Sequence, residues 1–174
     1  MASDNEWLCP EQKGFLPGVH GIQEHTMLLE AAIEEARSQK GSVTICWLDL
    51  ANAFGSLPHD YLNQFFCSLS LPHVLRSILT DIYRGNQFHF VVGQELVKVK
   101  PSSWVRQGDG LCAVIFNLAA EPLVRRVKAK SNAGFQLLNT FLKTTAYADD
   151  ISVVGSNPSS LQDTINGVNW TFQR

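Results

Sequence analysis

The sequence has no hydrophobic run long enough to cross a membrane and no paired-cysteine motif. Its longest apolar stretches have the length of a β-strand, well short of the roughly 20 residues that a membrane-spanning helix needs. Its four cysteines, Cys9, Cys46, Cys67 and Cys112, lie far apart and form no CxxC pair. We therefore expect reduced, partly buried thiols in an intracellular protein, either nuclear or cytoplasmic.

Basic charge is also scarce. The formal net charge is −2, from 14 Lys and Arg residues against 16 Asp and Glu residues. A protein whose sole task is to grip nucleic acid is usually basic, because phosphate contacts dominate such affinity.

The acidic, polar N-terminus MASDNEWLCPEQKG does not have the pattern of a signal peptide. His20 and His25 lie near each other without a cysteine pair, which argues against a zinc site there.

What is present is an ordinary globular composition, with 45% hydrophobic and 17% charged residues over 174 positions. A chain of this length can bury the core of one domain. Helical and strand patterns are mixed, and several strand pairs read as hairpins. These patterns predict the α/β (α+β) class, with a largely antiparallel sheet that is backed by helices on one face.

Hydrophobic periodicity and turn residues predict the order of the elements. We expect helices over 21–39, 57–69, 72–85 and 111–129, and a last helix starting near Ser159, with Ser56 as a cap of the second helix. We expect strands at SVTICWLDL, FQLLNTF and TTAYADDISVVG, and a hairpin that turns at Gly93-Gln94. The buried stripe of the third helix is predicted to comprise Val74, Leu75, Ile78, Leu79 and Ile82.

The adjacent acids Asp149 and Asp150 interrupt a run that otherwise reads as strand. One interpretation is the tip of a β-hairpin, because Asp tolerates turn backbone. The favoured two-residue tips, however, carry Gly after Asp or Asn, and this one does not. The other interpretation is a metal site, because adjacent like charges repel unless a cation or hydrogen bonds compensate them.

A further acid, Asp49, ends the apolar strand CWLDL. It could simply cap the following turn, which is a common role for Asp. If its strand lies beside the Asp149–Asp150 hairpin, three carboxylates converge and form a ligand set for Mg²⁺. Two such ions about 3.5–4 Å apart can activate a hydroxyl and stabilise a leaving phosphate, which is the chemistry of nucleotidyl transfer.

Three segments resemble, in order and spacing, the palm motifs of reverse transcriptases, and most of all those of non-LTR (LINE-like) retrotransposons. They are LDLANAFGSLPHDYL, VRQGDGLCAVIFNLAAEPL and AYADDISVVG. The segment QKGFLPGVHGIQEHTMLLEAAIEEAR resembles the region that precedes the first catalytic motif in that group. The resemblance implies a polymerase palm, in which an antiparallel sheet carries the carboxylates and helices back it.

The resemblance also implies the metal ligands and the activity. Asp49, Asp149 and Asp150 would be the catalytic carboxylates and, with the backbone carbonyl of Leu50, would hold Mg²⁺ or Mn²⁺. The implied activity is that of a partial RNA-directed DNA polymerase that joins deoxynucleotides to a primer 3′-hydroxyl. The implied partners are an RNA template, a DNA primer and deoxynucleotides, with no membrane.

Contacts to the substrates are implied for five further residues. Phe54 falls where the family carries an aromatic ring that crowds the sugar 2′ position. Arg106, Gln107 and Gly108 match the motif that contacts the incoming nucleotide and template, and Tyr147 would support the primer end.

The chain departs from the family pattern at two places. Parts of the complete polymerase are also expected to be missing from it. Gly55 stands where many relatives have Asp, and Asp109-Gly110-Leu111-Cys112 stands where relatives often read Cys-Pro-Leu-Ser. The expected organisation is an irregular segment over 1–20, a palm with partial fingers over 21–156, and the start of a truncated C-terminal part over 157–174. The remaining polymerase parts would lie on a longer chain.

Two alternatives stay open at this point. One is a truncated or domesticated palm that no longer catalyses and acts as an interaction module. The other is a different palm nucleotidyltransferase, such as an RNA-dependent RNA polymerase or a nucleotide cyclase. Phe54, and Ala148 in place of a Gly before the acid pair, favour a reverse transcriptase.

Overall fold

The computed structural model describes residues 7–85, 87–105, 108, 110–130 and 134–168. Two compact units divide the chain: the first comprises residues up to 50 and from 110 onward, and the second comprises residues 51–108. Helices in the described ranges are α1 Gly21–Ser38, α2 Ala53–Ser56, α3 His59–Ser68, α4 His73–Tyr83, α5 Cys112–Lys130 and α6 Pro158–Asn166. Strands are β1 Thr44–Leu48, β2 Phe88–Val92, β3 Glu95–Val99, β4 Phe135–Leu137, β5 Thr140–Leu142, β6 Thr144–Tyr147 and β7 Asp150–Gly155.

A three-stranded antiparallel sheet in the order β1-β7-β6 forms the centre of the first unit. Its strands are rich in β-branched and apolar residues, which suit a pleated, buried surface. The middle strand β7 is buried at every position from Ile151 to Gly155. Because successive side chains of a strand point to opposite faces, both faces of this sheet must be covered.

Two helices cover one face. Val124 and Val127 of α5 and Leu161 of α6 join the buried cluster that contains Ile151 and Val153 of β7. Asn157 is the N-cap of α6: its side chain accepts a hydrogen bond from the Ser160 N–H at 2.9 Å.

The other face is covered by α1 and by the β4–β5 hairpin. Ala32 and Ala36 of α1 pack in one cluster with Phe135 and Leu142 of the hairpin and with Val154 of β7. The predicted antiparallel sheet backed by helices is therefore confirmed, but the prediction that helices lie on one face only is wrong, because α1 packs on the second face. Within the described ranges, no helix is long and apolar enough to cross a bilayer.

The core of the second unit is built mainly by α3 and α4. Leu62 and Phe66 of α3 are buried, and the ring of Phe66 lies 5.9 Å from that of Tyr83 on α4. The β2–β3 hairpin of this unit turns at Gly93, which has φ +65, as the sequence predicts. Both of its strands are exposed along their whole length.

Two sequence-based predictions about the elements are wrong, and a third, the buried stripe of α4, holds only in part. FQLLNTF is not one strand but the β4–β5 hairpin, which turns at Leu138 with φ +53 and has no Gly to mark it. Ser56 ends α2 instead of capping α3, whose N-cap is Pro58.

The predicted stripe of α4 is buried only in part. Leu79 is buried and Ile82 is half-buried, whereas Val74, Leu75 and Ile78 are exposed, with 70% of Val74 accessible. Periodicity identifies the apolar side of a helix, but it does not show whether another element covers that side.

Candidate active site

Strand pairing brings the three predicted carboxylates to one end of the central sheet. The register between β1 and β7 runs from Thr44 opposite Gly155 to Leu48 opposite Ile151. Asp49 follows β1 directly and Asp150 is the first residue of β7, so continuation of this register by one residue would set the two acids opposite each other. Residues directly opposite each other on antiparallel strands share a face, with Cβ atoms about 4.5–5.5 Å apart.

Asp149 lies in the turn between β6 and β7. Tyr147, the last residue of β6, pairs with Asp150, so Ala148 and Asp149 form a two-residue tip. A hairpin does turn here, but only the first acid of the pair lies in its tip, because Asp150 already belongs to β7. This hairpin is compatible with the metal interpretation. Asp149 is half-buried, whereas Asp49 and Asp150 are exposed.

These carboxylates have no counter-charge in the described part of the chain. None of their side chains takes part in an ion pair there, and no cluster of three His, Cys, Asp or Glu side chains closes into a metal cage. The strand pairing thus brings the acids to one end of the sheet, but the described residues form no closed ligand cage. Mg²⁺ is usually bound in this way, through one or two carboxylates that share it with water and substrate phosphates. The donor set fits such an ion by ligand type and by its access to solvent.

Leu50 and Tyr147 flank the acids. The side chain of Leu50 is half-buried and packs against the cluster on the α5–α6 face. Tyr147 is half-buried, and its ring centroid lies 6.2 Å from that of Phe15. Whether the Leu50 carbonyl binds metal and whether Tyr147 supports a primer remain predictions.

Two of the predicted nucleotide-binding residues, Phe54 and Gly108, lie in the second unit. Phe54 lies in α2, is half-buried, and its carbonyl accepts a hydrogen bond from the Val105 N–H at 2.7 Å. Gly108 is exposed with φ +89, a conformation that favours glycine, and a Cβ there would meet nothing within 4 Å. Arg106 and Gln107 lie outside the described residues.

One group of residues next to the hairpin tip was not predicted from the sequence. Gln12, which is 1% exposed, accepts a hydrogen bond from the Ala148 N–H at 2.8 Å and donates one to the Ala148 carbonyl at 3.2 Å. Gly14 approaches the same tip so closely that a Cβ would lie 2.3 Å from the Ala148 nitrogen. The sequence offered only a weak signal for this contact, a glycine in an irregular polar segment.

Titratable groups near the N-terminal segment are shifted by burial. Burial and the nearby Glu121 carboxylate raise the pKa of the Cys9 thiol to about 12. Glu121 accepts hydrogen bonds from the Cys9 backbone N–H and from Arg125, both at 2.7 Å. Burial also lowers the pKa of His25. All four cysteines are in the reduced thiol form: Cys9 and Cys112 are buried, Cys46 is half-buried and Cys67 is exposed.

Comparison with known proteins identifies the family to which this chain is similar. The family model described as reverse transcriptase (RNA-dependent DNA polymerase) matches residues 4–173. The Retrovirus-related Pol polyprotein from the type-1 retrotransposable element R2 of Nasonia vitripennis is 29% identical over 171 residues. The match covers 95% of this chain and 16% of that protein.

Two other relatives show the same relation. The Pol polyprotein from the type-2 retrotransposable element R2DM of Drosophila melanogaster is 26% identical over 88% of this chain and 14% of its own length. The R2 polyprotein of Bradysia coprophila is 28% identical over 94% of this chain and 18% of its own length. The chain thus spans less than a fifth of the length of these relatives.

Among solved structures, apo telomerase from Candida tropicalis, truncated from its C-terminal domain, superposes with a TM-score of 0.48. That superposition covers 83% of this chain and 30% of the telomerase, at 12% identity. The family match over nearly the whole chain establishes the classification: this chain belongs to the reverse transcriptase (RNA-dependent DNA polymerase) family.

Proposed function

We propose that this chain is the catalytic palm of an RNA-directed DNA polymerase from a non-LTR retroelement. The observation that carries the proposal is the strand pairing: β1 ends with Leu48 opposite Ile151, so that Asp49 follows β1 at the end of the sheet where the β6–β7 hairpin turns at Asp149 and β7 begins with Asp150. Three acids without a counter-charge in the described residues repel one another unless a cation joins them.

Asp49, Asp149 and Asp150 would hold the divalent cation, Mg²⁺ or Mn²⁺, with the carbonyl of Leu50 as a further oxygen ligand. Bound metal in such a site supplies electrostatic stabilisation of the charge that develops on the reacting phosphate. The protein's contribution would be to fix the ligands at the ends of paired strands and in the turn between β6 and β7, so that the carboxylates are held in place before substrate arrives.

The substrates follow from the same assignment. We expect an RNA template, a DNA primer and deoxynucleotides, with the primer 3′-hydroxyl attacking the α-phosphate and pyrophosphate leaving. Arg106, Gln107 and Gly108 would contact the incoming nucleotide and template, and Phe54 would crowd the sugar 2′ position. The ring of Tyr147, which contacts Phe15, would support the primer end.

Primer extension tests this proposal. The assay follows deoxynucleotide incorporation on an RNA template with a DNA primer, in Mg²⁺ or Mn²⁺, by the wild-type chain and by Asp149→Asn. We expect metal-dependent extension that falls at least about 100-fold in the variant, because a metal ligand is lost. Extension that is equal in the two proteins would contradict the assignment of Asp149.

A second candidate function is a palm that serves as an interaction module. The observation that favours it is the exposed apolar surface of the second unit, where 70% of Val74 and 77% of Val91 are accessible. Exposed apolar patches of this kind often mark interaction sites. A cooperatively folded chain that neither binds Mn²⁺ nor extends a primer would favour this candidate over the polymerase.

A further inference from the structure

We propose that Gln12 is a positioning residue that holds the turn before Asp149 and Asp150 in a left-handed backbone conformation and so orients the acids toward metal. The part of this inference that concerns metal rests on the proposed function. The part that concerns the turn stands on the geometry alone.

The turn needs an external support because of its sequence. Ala148 has φ +56, in the left-handed region. This region is unfavourable for a residue with a Cβ, and two-residue hairpin tips normally place Gly, Asn or Asp there. Such a conformation persists only where the surrounding structure imposes it.

The side-chain amide of Gln12 imposes it by binding both backbone groups of one residue. Its Oε1 accepts from the Ala148 N–H at 2.8 Å, and its Nε2 donates to the Ala148 carbonyl at 3.2 Å. The Gly14 N–H donates to the same Oε1 at 2.9 Å, which fixes the orientation of the amide. Asn and Gln carry an acceptor and a donor side by side on one carboxamide group, and Gln has the longer reach of the two.

Gln12 is itself anchored to the edge of the sheet. Its two neighbours along the chain pair with Ala146 of β6: the Lys13 N–H donates to the Ala146 carbonyl at 2.8 Å, and the Ala146 N–H donates to the Glu11 carbonyl at 2.9 Å. The amide is therefore presented to the tip by a backbone that behaves as a short extra strand.

A helix anchors the same segment from the other side. Asn117 of α5, which is 1% exposed, donates from Nδ2 to the Gly14 carbonyl at 2.6 Å. The support of Gln12 thus runs from the sheet edge and from α5 to the tip of the hairpin. Because the sheet edge and α5 hold Gln12 in place, Gln12 can fix the orientation of the acids that follow Ala148.

Loss of the Gln12 amide would let Ala148 relax to negative φ and change the direction of Asp149 and Asp150. Removal of a residue that orients a metal ligand typically lowers the metal affinity about 10–100-fold. We expect Gln12→Ala to weaken Mn²⁺ binding about 10-fold and to speed amide exchange at Ala148 at least about 10-fold, while the sheet stays folded.

The test compares Mn²⁺ titration and NMR amide exchange in the wild-type chain, Gln12→Ala, and Gln12→Ala/Ala148→Gly. The matched control is Gln162→Ala, which removes an exposed glutamine of the same unit that bonds only along α6. Glycine adopts positive φ without penalty, so Ala148→Gly is expected to restore most of the Mn²⁺ affinity lost in Gln12→Ala. The control is expected to match the wild type in both measurements.

Three results would overturn the inference. The first is wild-type Mn²⁺ affinity in Gln12→Ala, and the second is failure of Ala148→Gly to rescue it. The third applies even if Gln12→Ala does not fold: the unmodified chain shows no through-hydrogen-bond coupling between the Ala148 nitrogen and the Gln12 Cδ. A wild-type chain that binds no Mn²⁺ would contradict the proposed function instead. The role of Gln12 in the turn would then still be tested by amide exchange and by through-hydrogen-bond coupling at Ala148.

Discussion

Replacement of Gly14 by alanine is the sharpest test of the packing around the carboxylate hairpin. A Cβ at this position would lie 2.3 Å from the Ala148 nitrogen and 3.0 Å from the Tyr147 carbonyl carbon. Both are backbone atoms of the hairpin, so neither can rotate away as the end of a flexible side chain could. The segment that contains Gly14 must therefore move away from the tip by about 1 Å to reach ordinary contact distances.

The magnitude follows from the hydrogen bonds that such a movement breaks. Gln12 would lose its bonds of 2.8 Å and 3.2 Å to Ala148, and Asn117 would lose its bond of 2.6 Å to the Gly14 carbonyl. Each is worth about 1 kcal/mol net. We therefore expect Gly14→Ala to lower the free energy of unfolding by about 3 kcal/mol, which is at the upper end of the range for overpacking.

Urea unfolding followed by circular dichroism measures this change. At a typical slope of about 2 kcal/mol per molar urea, the midpoint should fall by about 1.5 M. Gly41→Ala is the matched control, because a Cβ there would meet only the Ala36 carbonyl oxygen at 3.8 Å, an ordinary contact. We expect the control to range from no change to a gain of about 1 kcal/mol, since alanine restricts the unfolded chain.

A Gly14→Ala variant within about 0.5 kcal/mol of the wild type would refute the reasoning, because surface substitutions typically stay inside that range. It would mean that residues 12–14 are not held against the hairpin. The same result would remove the structural basis for a role of Gln12.

Three further predictions concern the acids, the sugar and the thiols. Asp149→Asn should keep or raise the metal-free melting temperature, because it relieves like-charge repulsion, and a sharp drop would make Asp149 a structural turn residue. Phe54→Val in an extending polymerase should increase ribonucleotide incorporation relative to deoxynucleotides, and unchanged selectivity in competition assays would exclude the sugar-gate role. Iodoacetamide at pH 9 should modify the exposed Cys67 and spare Cys9, since burial raises the pKa of Cys9 to about 12 and the thiolate is the reactive form. Equal labelling of the two thiols, read by mass spectrometry, would show that Cys9 is not buried.

The central sheet could be predicted because its residues carry strong local signals. Ile151, Val153 and Val154 read as strand, and the acids at the strand ends mark where the apolar pattern stops. Whether the strand of Asp49 lies beside the Asp149–Asp150 hairpin could not be read from periodicity. That arrangement was one of two open interpretations until the resemblance favoured it, since strand order depends on contacts that are distant along the chain.

The support of the hairpin by Gln12 could not be predicted from any pattern in the sequence. A buried polar residue in an irregular segment has no periodicity, and Gln12 becomes recognisable only when its two hydrogen-bond partners on Ala148 are seen. The exposed stripe of α4 shows the opposite case. Val74 and Ile78 have a clear helical pattern, yet burial depends on a covering element that the pattern does not specify.

Calorimetric titration of Mn²⁺ into the purified chain tests the central claim most directly. The wild-type chain is compared with Asp49→Asn and Asp150→Asn, which replace the acids next to the last β1–β7 pair, Leu48 and Ile151. If the acids at the end of the sheet form one metal site, each substitution alone should weaken binding at least about 10-fold, because each removes a charged ligand. Wild-type affinity in both variants, with cooperative unfolding retained, would show that these carboxylates do not hold metal and would contradict the account.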